Sequence, residues 1–229
     1  MTILLYHPMC PHSRFIRLAL SEYGIEADLV EEKVQERRPD FLALNPAGAT
    51  PVLLDEPDIV VSGAGPAAEY LHEVYAASGS VRLMPDNPVE RAEVRRLMDW
   101  FNTKFFAEVS TWLVHEKITR RFLGPHEGGG GPDMDAVRAA RANIRSHLNY
   151  IGWLAAKRNW LAGDEMSYAD LAAAAHLSCA DYLGDVPWAE NENAKNWYVR
   201  VKSRPSFRGL LGDRVLGMNP APVYADLDF

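Results

Sequence analysis

Apolar positions fall into two regimes along the chain. In the first third, short runs alternate with helical stretches. "TILLY" at 2–6 reads as a buried strand. From Pro11 onward Phe15, Ile16, Leu18, Ala19, Leu20 and Tyr23 recur at helical spacing until Gly24 stops the run. "ADLVEEKV" gives a second strand and "PDFLAL" a short helix. "PVLLDEPDIVV" reads as a hairpin turning at Glu56–Asp58. A further helix starts around Pro66, where proline is tolerated in the first turn, and runs through "AAEYLHEVYAA" to Gly79. The order strand, helix, strand, helix, strand, strand, helix describes a small α/β unit with a mixed sheet.

Past residue 88 the pattern is helical throughout. Val94, Leu97, Met98, Phe101 and Phe105 mark one face of a long helix, and Val137, Ala140, Ile144, Leu148 and Ile151 mark another. The fold class is therefore α/β plus all-α: an N-terminal unit over 1–77, a linker at 78–87, a helical domain over 88–216 and a tail at 217–229. "GPHEGGGGPD", between the two long helices, cannot be helical through four glycines. It lacks the preceding strand and following Lys-Ser/Thr of a phosphate-cradling loop, so it reads as a flexible connector. "SYAD" at 167–170 fits a capping box, Ser167 capping the next helix and Asp170 reciprocating.

Composition narrows the function classes. The 229 residues are 48% hydrophobic and 24% charged, as in a globular protein, and the net charge of −7 argues against nucleic acid or anionic lipid as main partner. The longest apolar run, "LAAAAHLSCA", is too short to span a bilayer, and "MTILLYHPM" lacks the features of a secretory signal. Two cysteines cannot form a disulfide framework, which fits a reducing cytoplasm.

Candidate chemistry gathers at "HPMCPHSRF". Cys10 stands where the first strand meets the first helix, and a helix N-terminus stabilises a thiolate. His7 and His12 flank it, but no third and fourth ligand can be placed, so no metal is expected. "CPHS" lacks the second cysteine of a redox pair and could form only a mixed disulfide.

The strand-to-helix turn at Cys10, "NPAGATPVLL", "SYAD" and "NWYVRVKSRPSF" together resemble the glutathione S-transferase superfamily along nearly the whole chain. The resemblance implies a thioredoxin-like N-terminal domain, a helical C-terminal domain and a cis peptide between Thr50 and Pro51, which presents the backbone of Thr50 to a ligand cysteine. Glutathione-binding members carry Glu-Ser or Gln-Ser seven residues before the Tyr of "EYL". Here those positions are Gly63 and Ala64, which offer neither an acceptor for an ammonium nor a hydroxyl for a carboxylate. Ser62 could substitute only if the strand register slipped by one. The resemblance thus implies a degenerate glutathione site at Cys10, Thr50, Pro51, Gly63 and Ala64, with no bound cofactor and no required catalysis.

"YHPMCPHSRFIRLALSEYGI", "ERRPDFLALNPAGATPVL" and "SGAGPAAEYL" resemble more closely a division-associated branch of this superfamily in alphaproteobacteria, whose members bind the tubulin-like GTPase FtsZ. That implies a cytoplasmic homodimer at the division site, shaping FtsZ filaments, without nucleic acid or membrane insertion. The alternative is a glutathione-dependent transferase or thiol oxidoreductase using Cys10. Candidate partner contacts are Arg37 and Arg38, which could face acidic groups, and the tail residues Tyr224, Asp226, Leu227, Asp228 and Phe229, apolar anchors beside carboxylates.

Overall fold

A computed structural model describes residues 1–55, 58–76 and 81–227. Four strands form the N-terminal sheet: β1 (Thr2–Tyr6), β2 (Ala27–Glu31), β3 (Val52–Asp55) and β4 (Ile59–Ser62), in the order β2-β1-β3-β4. β1 and β2 run parallel, with Leu4 opposite Leu29, a pairing that needs a crossover, and α1 (Pro11–Glu22) supplies it. β3 lies antiparallel to both β1 and β4, as expected for a hairpin. Of its expected turn residues, Glu56 and Pro57 lie outside the described residues.

Strand alternation sends side chains to two covers. Leu4 and Leu53 enter the main core with Phe15, Leu18 and Ala19 of α1 and with Ala67, Ala68 and Leu71 of α3 (Ala64–Tyr75). Leu5 and Val52 pack on the opposite face against Phe41 of α2 (Pro39–Leu44). α3 begins at Ala64, two residues before the expected start. Pro66 still falls in the first turn, where its missing N–H costs nothing. The expected end of α3 at Gly79 falls outside the described residues.

The C-terminal half contains α4 (Pro88–Asp99), α5 (Thr111–Lys117), α6 (Met134–Ala155), α7 (Tyr168–Tyr182), α8 (Glu192–Lys202) and a short α9 (Arg208–Leu211). Both sequence-derived faces are buried: Val94, Leu97, Phe101 and Phe105 on the first helix, Val137, Ala140, Ile144, Leu148 and Ile151 on the second. The helix between α4 and α5 does not stay α-helical. Trp100–Ser110 forms a π-helical segment, a geometry that widens the turn and often marks a functional region.

All fifteen residues of α7 are buried, and it packs against α1, α4 and α8. Its run of alanines explains this placement, since a helix apolar on every side belongs at the centre and small residues allow close approach. The Ser167–Asp170 capping box forms as the sequence predicts: the Ser167 N–H donates to Asp170 Oδ2 at 3.0 Å. Asp170 also accepts from the Leu161 N–H and from Trp197 Nε1 at 2.9 and 2.8 Å, tying α7 to α8. The glycine-rich connector is hydrogen-bonded: Gly129 N–H donates to Gly124 O and Arg120 Nε to Gly128 O. A Cβ at Gly129 would lie 1.9 Å from Leu123 O, so only glycine fits there.

Candidate functional site

The loop Pro8–Cys10 joins β1 to α1, and the Cys10 N–H donates to His7 O to close the turn. Pro11 opens α1, so Cys10 sits at the N-cap position with no side-chain cap of its own. The Thr50–Pro51 peptide is cis, as expected. Asn45 shapes the loop before it, its Nδ2 donating to Ala49 O at 2.7 Å. The thiol of Cys10 points at this loop, with its sulfur 3.5 Å from Thr50 O.

Burial alone pushes the Cys10 thiol up. Hydrogen bonds to the sulfur from His12, Ser13 and the Thr50 side chain, with the charge on His12, outweigh it and hold the thiol at about 7. His12 responds in kind. Burial pulls its pKa down, but the sulfur and the bond to Asn102 O lift it above its ordinary value. The two shifts oppose each other's burial cost, so each group favours the charged form of the other. His7 does not share it: its Nδ1 accepts from the Met9 N–H at 3.2 Å, and burial depresses its pKa. Among the described residues no group of three or more His, Cys, Asp or Glu side chains is gathered to hold a metal ion. Cys179, buried beneath the site, is pushed up to about 11 by burial and is not a nucleophile near neutral pH.

His12 is positioned by the π-helical segment, a role its place in the sequence does not reveal. Asn102 offers its backbone oxygen to His12 Nε2 at 2.9 Å, and its side chain meets His176 Nε2 at 3.2 Å. His176 Nδ1 in turn bonds Ser110 Oγ at 2.9 Å, and its ring stands edge-on to His12 at 5.2 Å. Burial drives the pKa of His176 well below the ordinary value, so it serves as a neutral spacer. A histidine inside "LAAAAHLS" was the only sequence signal for this contact.

Gly63 and Ala64 open α3 beside the Pro51 loop. The Gly63 N–H donates to Pro51 O at 3.0 Å, and β3 pairs Val52 with Ser62. This register leaves no slip by which Ser62 could take over the missing grip, and its Oγ is turned to Leu44 O at 3.5 Å. Gly63 adopts φ +90°, where a side chain is strained. Neither position offers a side-chain group to a γ-glutamyl end, and the cleft does not fit that part of glutathione.

The partner-binding candidates separate. Arg37 is exposed, is the one non-glycine residue with positive φ among those described, and places Nη1 beside Gly48. Arg38 forks onto the buried Glu32, with contacts of 3.3 and 2.5 Å, so much of its donor capacity is spent inside the chain. Tyr224 corrects the expectation of a free tail anchor. It is fully buried, and its hydroxyl donates to Leu210 O and receives from Arg14, because a phenol with both ends satisfied is stable in the core. Asp226 and Leu227 are exposed beyond it, while Asp228 and Phe229 lie outside the described residues.

The family described as "Glutathione S-transferase, N-terminal domain" matches residues 4–79, and "Glutathione S-transferase, C-terminal domain" matches residues 111–205. The chain belongs to the glutathione S-transferase superfamily. It is 44% identical to FtsZ-localized protein A of Caulobacter vibrioides over 98% of this chain and 97% of that one. The structure of FzlA from C. crescentus superposes with a TM-score of 0.93 at 43% identity, covering 100% of this chain and 99% of that one. A glutathione S-transferase from Sinorhizobium meliloti 1021 superposes with a TM-score of 0.96 at 50% identity over the full length of both chains. Among the described residues no helix is long and apolar enough to cross a membrane.

Proposed function

We propose that this protein is a glutathione-transferase-like division protein that binds FtsZ as a homodimer at the division site and regulates filament architecture and constriction without required catalysis. The observation that carries this reading is the 44% identity, over nearly the whole of both chains, with a protein named for its localisation with FtsZ. The site supports it from the other side: Gly63 and Ala64 remove the side chains that would grip glutathione, so no bound cofactor is part of the reading. Exposed Arg37 and the segment Ala225–Leu227 beyond the buried Tyr224 are the contacts we assign to the partner. Exposed apolar side chains on α3 and α6, Val74 and Trp153, are surface that a second copy would cover.

Co-sedimentation of the purified protein with FtsZ polymers, with and without GTP, tests this reading. Pelleting that requires assembled FtsZ and survives Cys10→Ser supports it; a folded dimer that stays in the supernatant refutes it.

A second reading rests on the Cys10–His12 pair, whose lowered thiol pKa is what a thiol transferase or oxidoreductase needs. Calorimetric titration with millimolar glutathione discriminates: no heat and no shift in melting temperature would retire it.

A further inference from the structure

Arg14 lies four residues beyond Cys10 in α1, and its side chain is fully buried. One edge of its guanidinium grips the turn that presents the thiol: Nε donates to Pro8 O at 2.6 Å, and Nη2 meets the Met9 sulfur at 3.2 Å. The other edge holds the end of the chain. Nη1 donates to the Tyr224 hydroxyl at 3.1 Å and to Ser178 Oγ at 2.8 Å, and Nη2 pairs with Asp213 at 3.3 Å. Only a planar fork with five donors can serve both sides at once. Met9 and Tyr224 also share one apolar cluster with Cys179 and Tyr182. Tyr224 is fixed from behind, because Lys202 Nζ donates to Val223 O at 2.9 Å and the Ala221 N–H to Tyr182 O at 2.8 Å.

The Cys10 turn has little slack. Met9 and Pro11 are buried on either side of Cys10, and its sulfur already lies 3.5 Å from Thr50 O. A group added to the sulfur must displace something, and packed interiors transmit displacement rather than absorb it. Arg14 is bonded to the turn on the other side of the sulfur.

We propose that Arg14 is a mechanical coupler: an adduct or ligand on the Cys10 sulfur is transmitted through the Arg14 guanidinium to residues 218–227 and loosens the C-terminal segment. Its consequence for FtsZ rests on the tail-docking reading above, but the coupling itself does not. The class of effector is a small electrophile, or the thiol half of a mixed disulfide, reaching the thiolate.

The test uses the full-length protein and iodoacetamide. The Cys10 thiolate attacks the methylene carbon, an S–C bond forms, the C–I bond breaks and iodide leaves with the bonding pair; Cys179, protonated and buried, is spared. Intact mass confirms a single adduct, and amide hydrogen exchange is followed across 218–227. Labelling is expected to speed exchange there roughly tenfold or more, the worth of one charge-assisted hydrogen bond.

Arg14→Met removes the fork while its partners keep others: Asp213 keeps Arg17, Ser178 keeps Ala175 O and Tyr224 keeps Leu210 O. This variant should show fast tail exchange before labelling and no further increase after it. Should it not fold, Arg14→Lys retains the charge without the fork and is read the same way. Cys10→Phe adds bulk without thiol chemistry and is expected to reproduce the labelled state.

Unchanged tail exchange in labelled wild type, or an equal increase on labelling with and without Arg14, would overturn the coupling. Faster tail exchange with undiminished FtsZ co-sedimentation would uphold the coupling and count against tail docking.

Discussion

Rebuilding the missing grip is the most direct probe of the cleft. The double substitution Gly63→Glu and Ala64→Ser restores the side chains used by glutathione-binding relatives at the N-terminus of α3. Two charge-assisted hydrogen bonds are worth about 3–6 kcal/mol together. Against this stands the backbone of residue 63, whose φ of 90° and ψ of 152° lie in a region nearly confined to glycine and cost another residue roughly 1–3 kcal/mol. Space is not limiting, since the nearest atom to a Cβ there is Pro66 Cδ at 3.7 Å. The net gain is about 0–5 kcal/mol, or from none to several thousand-fold in affinity at about 1.4 kcal/mol per decade. Ala64→Ser alone avoids the strain and should gain roughly ten- to hundred-fold. Calorimetric titration of glutathione into wild type, single and double variants, with melting curves to confirm folding, gives the comparison. Wild type that binds glutathione as tightly as the folded Ala64→Ser variant would refute the reasoning, because the grip would then be supplied elsewhere in the cleft.

The alkylation rate of Cys10 by iodoacetamide should rise through an apparent midpoint near pH 7 and fall about tenfold per unit below it, since only the thiolate reacts. His12→Phe should move that midpoint up toward about 8.5, and a pH profile of alkylation in both proteins checks it. Asp170→Ala leaves the Leu161 N–H, the Ser167 N–H and Trp197 Nε1 without their acceptor, removing the reciprocal half of the α7 capping box; a loss of about 3–5 kcal/mol in urea unfolding is expected, and one under about 1 kcal/mol would show that water or rearrangement satisfies those donors. Arg37→Glu reverses an exposed charge that makes no hydrogen bond or ion pair among the described residues; melting should be unchanged while FtsZ co-sedimentation weakens several-fold, and equal pelleting would remove Arg37 from the contact surface.

What the sequence made legible was what local patterns encode. The short apolar run "TILLY" and the hairpin pattern of "PVLLDEPDIVV" pointed to β1 and β3, the Ser167–Asp170 spacing to the start of α7, and the likeness of "NPAGATPVLL" to its family to the cis bond at Pro51. The π-helical segment was not legible, because Trp100–Ser110 carries the same apolar spacing as an α-helix and the extra residue per turn is settled by packing. Tyr224 was misplaced for a related reason. A tyrosine near a chain end among acids reads as exposed, and only the distant Arg14 and Leu210 make a buried slot for its hydroxyl. Arg38 beside Arg37 looked equivalent to it, yet Glu32, buried at the end of β2, claims one of the pair. For Tyr224 the deciding partner Arg14 is remote in sequence, and for Arg38 the partner lies six residues back across the end of a strand; neither is visible to periodicity.

Polar contacts between the two halves gather on α1. Along a single helix of twelve residues and its N-cap, Cys10 faces the Thr50 loop, His12 meets Asn102 of the π-helical segment, Arg14 and Arg17 hold Asp213, and Glu22 accepts a forked pair of bonds from Arg204 at 2.6 and 2.7 Å. The Tyr23 and Tyr168 hydroxyls meet at 3.0 Å just past its end. Buried or half-buried polar contacts of this kind are directional, so they fix the angle between the two halves where apolar contact alone would allow sliding. Separating the halves would expose Arg14 together with the apolar face of α7, and the charged groups would lose partners placed for one geometry only. α1 is thus bonded at its N-terminal end to the Cys10 turn and the Tyr224 hydroxyl, and at its C-terminal end to Arg204. The thiol at that N-terminus stands one guanidinium away from the buried Tyr224 hydroxyl, which is the path that the Arg14→Met comparison tests.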